Sequence, residues 1–457
     1  MKAAFWSRMM WEWSKGMDIK ELQKIVQESG VVGAGGAGFP TYVKIDERAN
    51  TILLNCAECE PLLKLHRQLM EKHAYEIMKT FHMVAQTVGA KEAIIGIKRS
   101  YVDAVKALEQ YIGEFPEMRI ALLQEVYPMG DEVVLIYEAT GRVVRPGGLP
   151  IEEGVAVFNV ETMYNIYNAV ENKKPVTNKL VSVVAEVENP VTVRVPLGCT
   201  IADVVKLAGG TTVKDPVYFV GGPMMGFIGA GSQQITKTTN AILVLPKDHN
   251  IVMKKQRKAS IDLKRAASIC CQCESCTDLC PRHALGHPIT PHMFMRSASN
   301  KDFQDLNPFL HTMFCSSCGV CEMYACPQDL APRSLMADYK AGLRKNGVKA
   351  PQVEAKPVSP AREYRKVPEE RLMARLGLTK YDKPAPLDDQ VVPMKAVKVL
   401  LSQHIGAPAV PVVKVGDTVA EGQMIAQPAK GLSVGIHASI SGRVNEVTDK
   451  YIGIVSK

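Results

Sequence analysis

The chain has 457 residues, 46% hydrophobic and 22% charged, which allows three or four domains of ordinary globular composition. Its net charge of +8 is moderate, and no zinc-finger, helix-turn-helix or aromatic RNA-binding signature accompanies it, which argues against a nucleic-acid binder. No uninterrupted apolar run approaches the roughly 20 residues of a membrane span, and the sequence therefore predicts no transmembrane segment.

Residues 1–16 hold all three tryptophans and read either as an amphipathic targeting or docking peptide or as a start placed upstream of Met17. Asp18 to Ser29 has Leu22, Ile25 and Val26 on one face and predicts a short amphipathic helix. The glycine-dense run Gly33-Ala-Gly35-Gly36-Ala-Gly38-Phe39-Pro40-Thr41 follows. It contains G-x-G-x-x-G literally, with Glu58 twenty residues beyond Gly38, yet a dinucleotide fingerprint must follow a strand and here a helix precedes it. Such a loop still lets backbone N–H groups approach a phosphate or a flat ring. Thr51–Leu54 reads as a buried strand leading into Asn55-Cys56-Ala57-Glu58-Cys59-Glu60-Pro61. Cys56 and Cys59 have no second pair nearby and are not read as metal ligands. Helix (69–88), strand (92–97), helix (102–112) and strand (120–123) follow as an alternating α/β pattern. Tyr127-Pro-Met-Gly130-Asp131-Glu132 then opens another helix, and Val155–Phe158 is a strand entering Asn159-Val160-Glu161-Thr162.

Residues 181–245 are strand-rich and include the turn Gly221-Gly-Pro-Met-Met-Gly226. The basic cluster Lys254, Lys255, Arg257 and Lys258 reads as a solvated linker face, or as a surface for an acidic partner such as a flavodoxin-like protein. Nine of the twelve cysteines then fall within residues 270–327. They form Cys270-x2-Cys273-x2-Cys276-x3-Cys280-Pro281 and Cys315-x2-Cys318-x2-Cys321-x4-Cys326-Pro327. Three thiolates spaced by two residues wrap three corners of an iron–sulfur cube, and the Cys-Pro thiolate of each run reaches the other cube in two-cluster ferredoxins. The runs predict two [4Fe–4S] clusters, one on Cys270, Cys273, Cys276 and Cys326, the other on Cys315, Cys318, Cys321 and Cys280. The x4 gap departs by one residue from the usual x3, which leaves open which cluster Cys280 and Cys326 each ligate. A pair of structural zinc sites is the alternative, but zinc favours two separated Cys pairs over triplets closed by Cys-Pro. Cys271 reads as a bystander, and His283, His287 and His292 as structural or cluster-tuning. Residues 344–391, rich in proline, lysine and acids, read as a linker or wrapping segment, and residues 397–457 as short glycine-punctuated strands.

The glycine loop with Lys44, the Asn…Glu-x-Glu-Pro turn, the Tyr…Gly-x-Glu turn and the Asn-Val-Glu-Thr turn together resemble the flavin-carrying, NADH-oxidising subunit of respiratory complex I. The resemblance is stronger to its RnfC-type relatives. It implies that Gly33, Gly35, Gly36, Lys44, Asn55, Glu58, Tyr127, Gly130 and Asn159 contact FMN and its phosphate. Phe39, Glu60 and Glu132 would face the nicotinamide nucleotide. Ala57 stands where the complex I protein has Asp, and Phe158-Asn159 where it has paired asparagines, which weakens the case for NADH more than for FMN. The strand-rich module resembles the SLBB β-grasp domain of these proteins, and the C-terminal module a barrel-sandwich hybrid. Lys430 is not in the register of a carrier lysine, which points to a structural role for that module.

The expected architecture is α/β multidomain: an extension (1–16), an FMN/NADH-binding α/β domain (17–175), an SLBB domain (176–250), a helical two-cluster ferredoxin-like domain (251–345), a linker (346–392) and a barrel-sandwich hybrid (393–457). This module order, with Gln403-His-Ile-Gly-Ala-Pro408, is similar to the cobalamin-reductase branch associated with propanediol-utilisation microcompartments. The resemblance implies transfer from NADH through FMN and two [4Fe–4S] clusters to cobalamin, with a cobalamin adenosyltransferase and shell proteins as partners and a cytoplasmic, microcompartment-enclosed location. The alternatives are a ferredoxin, flavodoxin or quinone-like acceptor, or a non-catalytic electron relay.

Overall fold

The computed structural model describes residues 17–456, so the expectations on residues 1–16 lie outside the described residues. The first helix among the described residues, Ile19–Glu28, buries Leu22 and Val26 and delivers the chain to the glycine loop. Five strands follow: β1 (Thr51–Cys56), β2 (Glu92–Lys98), β3 (Met118–Leu123), the two-residue β4 (Val126–Tyr127) and β5 (Val155–Asn159). Four of them form a wholly parallel sheet in the order β3-β2-β1-β5. Their near-continuous apolar runs reflect cover on both faces. Ile52 and Leu54 enter the core that holds helices Leu65–Val88 and Val160–Val170, while Leu53 enters the core under helix Glu132–Thr140. The chain steps from β1 outward to β3, then returns to lay β5 on the other side of β1.

The second sheet has the order β12-β7-β6-β10-β8-β9. Its strands are β6 (Asn178–Ala185), β7 (Val191–Pro196), β8 (Pro216–Val220), β9 (Phe227–Gly229), β10 (Ala241–Pro246) and β12 (Leu387–Val391). That last edge strand comes from the segment read as a linker or wrapping stretch. The same segment pairs β11 (Val367–Pro368) with β4 and forms helix Glu369–Leu376. It is a strap that completes two other modules. Asp389 fixes it, accepting from Arg194 Nε at 2.8 Å and lying 2.9 Å from His73 Nε2.

The cysteine-bearing region is built of short helices around its own core, with Phe294, Phe309 and Leu335 at the centre. The C-terminal module folds into two small sheets, and its Val399, Ile425 and Ile454 share a core with Val195 and Ile242 of the second sheet. Among the described residues no helix is long and apolar enough to cross a membrane.

Candidate functional site

In an open parallel sheet, ligands bind beyond the carboxyl ends of the strands where the strand order reverses. Here that point lies between β1 and β5, and the residues paired at its carboxyl end are Asn55 and Asn159. Asn55 Nδ2 donates to Gly130 O at 3.0 Å, and its oxygen accepts from Ala57 N at 3.1 Å. Asn159 caps helix Val160–Val170 through Glu161 N at 2.9 Å and Thr162 N at 3.4 Å. The positive end of that helix therefore faces the crevice. Thr162 holds the glycine loop against it, accepting from Ala34 N at 3.0 Å.

The loop needs its glycines. A Cβ at Gly35 would stand 2.6 Å from Asn159 Nδ2, and one at Gly130 would stand 2.4 Å from Ala57 O. Gly36 has nothing within 4 Å of where a Cβ would lie, and Gly35 and Gly36 are exposed while Gly33 and Phe39 are half-buried. Lys44 reaches in from below, donating to Glu132 Oε1 at 3.0 Å and Val157 O at 2.9 Å. Glu58 is buried and accepts from His66 N at 3.1 Å. Its other oxygen has no hydrogen-bond partner, nor does the buried Thr41 Oγ1 at the loop's end. Burial pushes the His66 imidazole below its usual range despite the Glu58 carboxylate beside it. Open glycine amides, a helix N-terminus, a lysine and orphaned polar atoms suit a flavin and its phosphate.

Glu60 and Tyr127 look outward from this crevice. Both Glu60 carboxylate oxygens accept at 2.8 Å, from the amides of Met224 and Met225 in the turn of the second sheet. A Cβ at Gly222 would fall 2.1 Å from Glu60 Oε2, so that turn requires glycine there. In the structure Glu60 joins two domains. Tyr127 is buried, and its hydroxyl donates to Cys318 O at 2.6 Å. Beside it Asp131, which caps helix Glu132–Thr140, accepts from Arg282 Nη2 at 3.0 Å. Arg282 follows Cys280-Pro281, so both contacts pin one cysteine group to the crevice.

The cysteines line two cavities. One is lined by Cys280, Cys315, Cys318 and Cys321, the other by Cys270, Cys273, Cys276 and Cys326. The two cages are built alike. Cys270 and Cys315 are extended at φ/ψ −68/110° and −66/128°, and Cys280 and Cys326 at −72/117° and −75/115°. Gln272 and Glu274 flank Cys273 in left-handed conformation, as Ser317 and Gly319 flank Cys318. Three of these four are not glycine, a local strain that persists where function over-determines it. It turns amides inward, and Ser317 N donates to Cys315 Sγ at 3.3 Å. The extra residue of the x4 gap is absorbed as a single π-helical turn, Cys321–Ala325, where the x3 run has the α-turn Ser275–Asp278. Burial pushes the Cys276 and Cys280 thiols up to about 12, so filling either cage must release protons. Eight thiols in two groups of four, with amides turned toward sulfur, suit two cubane clusters.

Residues 26–168 match the Nuo51 FMN-binding domain, 180–228 the SLBB domain, 269–331 the 4Fe-4S dicluster domain and 380–457 the RnfC barrel sandwich hybrid domain. The chain is 41% identical over 440 residues to cobalamin reductase PduS of Salmonella typhimurium, covering 95% of this chain and 96% of that protein. The chain belongs to the PduS cobalamin reductase family. The PduS protein of Citrobacter freundii is 39% identical, covering 96% of this chain and 97% of its own. A component of the Na(+)-translocating ferredoxin:NAD(+) oxidoreductase complex of Acetobacterium woodii is 31% identical, over 58% of this chain and 59% of its own. Among solved structures, NAD+-reducing [NiFe]-hydrogenase in its air-oxidized state aligns with TM-score 0.49 and 19% identity, covering 80% of this chain and 68% of that one. As a PduS family member the chain is a flavin and iron–sulfur oxidoreductase carrying FMN and [4Fe–4S] clusters.

Sequence reasoning missed Thr162 as the tether of the glycine loop, His66 beneath Glu58, and the Asp131–Arg282 bridge. Thr162 sits in the Asn-Val-Glu-Thr turn and was within reach. Arg282 could have been suspected only as the cation after Cys-Pro.

Proposed function

We propose that this chain is an NADH-dependent reductase that passes single electrons to cobalamin. The observation that carries the reading is Tyr127, whose ring belongs to the turn beside Gly130 and whose hydroxyl is bonded to the backbone of cage residue Cys318. One buried side chain thus spans from the flavin crevice to a cluster cage. Family membership over nearly the whole chain supports the acceptor.

Bound FMN would accept a hydride's two electrons and the clusters would carry them onward singly. The chain's own residues bind and orient. Gly33, Gly35 and Gly36 clear space for the ring and phosphate, and the Val160–Val170 helix end supplies positive charge, to which Lys44 would add on leaving Glu132. Asn55 and Asn159 hold the two strand ends at fixed spacing, and Asn159 keeps the helix capped. Phe39 and Glu132 border the opening where the nicotinamide would lie. Glu60 holds the second sheet's turn against the crevice. No side chain need act as an acid or base.

A cobalamin adenosyltransferase as recipient of the reduced cobalamin, shell proteins as neighbours, and a cytoplasmic microcompartment as location belong to the same proposal, resting on the module order. The likeness to part of a ferredoxin:NAD(+) oxidoreductase complex favours a second reading, with ferredoxin as the exchange partner.

The test is anaerobic stopped-flow spectroscopy of the iron-reconstituted protein with NADH, followed by hydroxocobalamin or ferredoxin. The expected result is flavin bleaching, then loss of broad cluster absorbance, then reoxidation by cobalamin. Flavin that stays oxidised with NADH would remove the donor from the reading. Reoxidation by ferredoxin alone would replace the acceptor.

A further inference from the structure

The two cages are pseudo-symmetric in backbone and in backing. Each is closed by a helix that starts with proline, and the same offsets carry His292 and Met295 on one helix, Arg333 and Met336 on the other. Positions that match in this way can be compared pair by pair. Where the flavin-side cage (Cys280, Cys315, Cys318, Cys321) has Arg282, Gly319 and Arg333, the open cage (Cys270, Cys273, Cys276, Cys326) has Gln328, Glu274 and His292. One turn further along the backing helices, Lys340 stands where the other has Ser299. Every one of these differences makes the flavin-side cage the more positive.

Not all of this charge is free to act. Arg282 is neutralised by Asp131. Arg333 Nε instead donates to Ser317 O at 3.3 Å, and Lys340 Nζ to Cys315 O at 2.7 Å. Among the described residues neither has a carboxylate within ion-pair distance, and both bond carbonyls of the loop that wraps the cage. Glu322, where the other cage has Thr277, runs the other way: Ser334 N at 2.8 Å and Ser334 Oγ at 3.0 Å hold its carboxylate without neutralising it, so at the flavin-side cage it opposes Arg333 and Lys340 one against two. At the open cage Arg375 reaches Cys326 O at 3.4 Å, and Glu274 lies 3.5 Å from His292 Nε2.

We propose that Arg333 and Lys340 raise the reduction potential of the flavin-side cluster while Glu274 lowers that of the open cluster, so that charge, on a shared backbone plan, makes the two clusters inequivalent. Reduction adds one electron to a cluster with no bond made or broken. The added negative charge is stabilised by a nearby cation and opposed by a nearby carboxylate, and net charge is among the levers that set cluster potentials. These are positioning residues for charge, not ligands. The inference rests on both cages holding clusters and is independent of which donor or acceptor the protein uses.

The experiment is a dithionite titration of the reconstituted full chain followed by electron paramagnetic resonance, which needs neither NADH nor cobalamin. Cys273→Ala, which opens the exposed cage, identifies that cage's signal. Arg333→Gln with Lys340→Gln should make reduction of the other cluster about tenfold less favourable, 59 mV for a one-electron couple. Glu274→Gln should move the open cluster's midpoint upward by a smaller amount. If the Arg333/Lys340 pair proves needed for cluster retention, Glu274→Gln on the exposed loop still decides the question. Midpoints that stay put in a fully loaded variant, or that move together, overturn the proposal.

Discussion

The flavin crevice and the cysteine cages solve the same problem, holding a redox group, by opposite means. Each cage draws three cysteines from seven consecutive residues and a fourth from one distant Cys-Pro, and its shape is set by local backbone. The crevice draws on four segments between Gly33 and Thr162, and only the assembled sheet brings them together. A cage therefore fails when one side chain is lost. The crevice fails when backbone spacing is lost. Glu60, Tyr127 and Arg282 join the two.

The sharpest break of this contrast is at a ligand. Cys318→Ala should lower reconstituted iron by about half, one cluster of two, and abolish acceptor reduction while NADH still bleaches the flavin. Cys271→Ala, at an exposed thiol beside the other cage, should change neither. An iron assay with stopped-flow spectra reads both, and an iron loss from Cys271→Ala would make that residue a ligand.

Next in size is the crevice's dependence on space. Valine at Gly130 must displace the Ala57 carbonyl, because its Cβ would lie 2.4 Å from that oxygen. Overpacking against backbone costs about 1–3 kcal/mol, so flavin affinity by fluorescence titration should fall by roughly 5- to 150-fold, with both clusters retained. Gly113→Ala, at an exposed turn before β3 and away from the crevice, meets open space and should bind flavin nearly as the parent does. Equal losses from the two would show that side-chain space is not what the glycines provide.

A smaller effect tests the join. Tyr127→Phe removes one buried hydrogen bond and leaves Cys318 O without that donor, a cost of about 1–3 kcal/mol. Flavin and iron contents should stay normal while cluster bleaching lags further behind flavin bleaching. An unchanged lag would confine Tyr127 to the crevice.

The same contrast explains what could be read from the chain alone. The two cysteine groups were legible because spacing of two residues is itself the geometry. The alternating α/β order of residues 51–159 was legible from apolar runs bounded by turns. The π-turn that absorbs the extra residue before Cys326 was not, because an inserted residue can be taken up in several ways and only packing selects one. Nor was the strap. Residues 344–391 have a linker's composition, yet Asp389 sits between Arg194 and His73, residues separated from it by 195 and 316 positions. Glu60 could be placed at the mouth of the crevice by its motif, but its bond to Met224 and Met225 depends on how the second sheet docks.

Lys237 gives the test that reads docking directly, through stability rather than electron transfer. It is buried where the first helix, the second sheet and the C-terminal module meet, and its Nζ donates to Gly30 O at 2.7 Å and Gly435 O at 3.1 Å. Burial lowers its ammonium to about 7 from 10.5, and the Lys237 charge in turn helps hold the neighbouring His437 and His404 neutral. A folded value below the unfolded one means the unfolded chain binds more protons between those two values, so this residue's contribution to stability rises with pH across that window. Thermal unfolding of the parent and of Lys237→Met from neutral pH to about 10, the upper edge set by a free lysine, should show the difference shifting steadily in the parent's favour, the other titrations cancelling in the comparison. A difference that stays flat would mean the lysine titrates as it does in water and that the three modules are open at this junction.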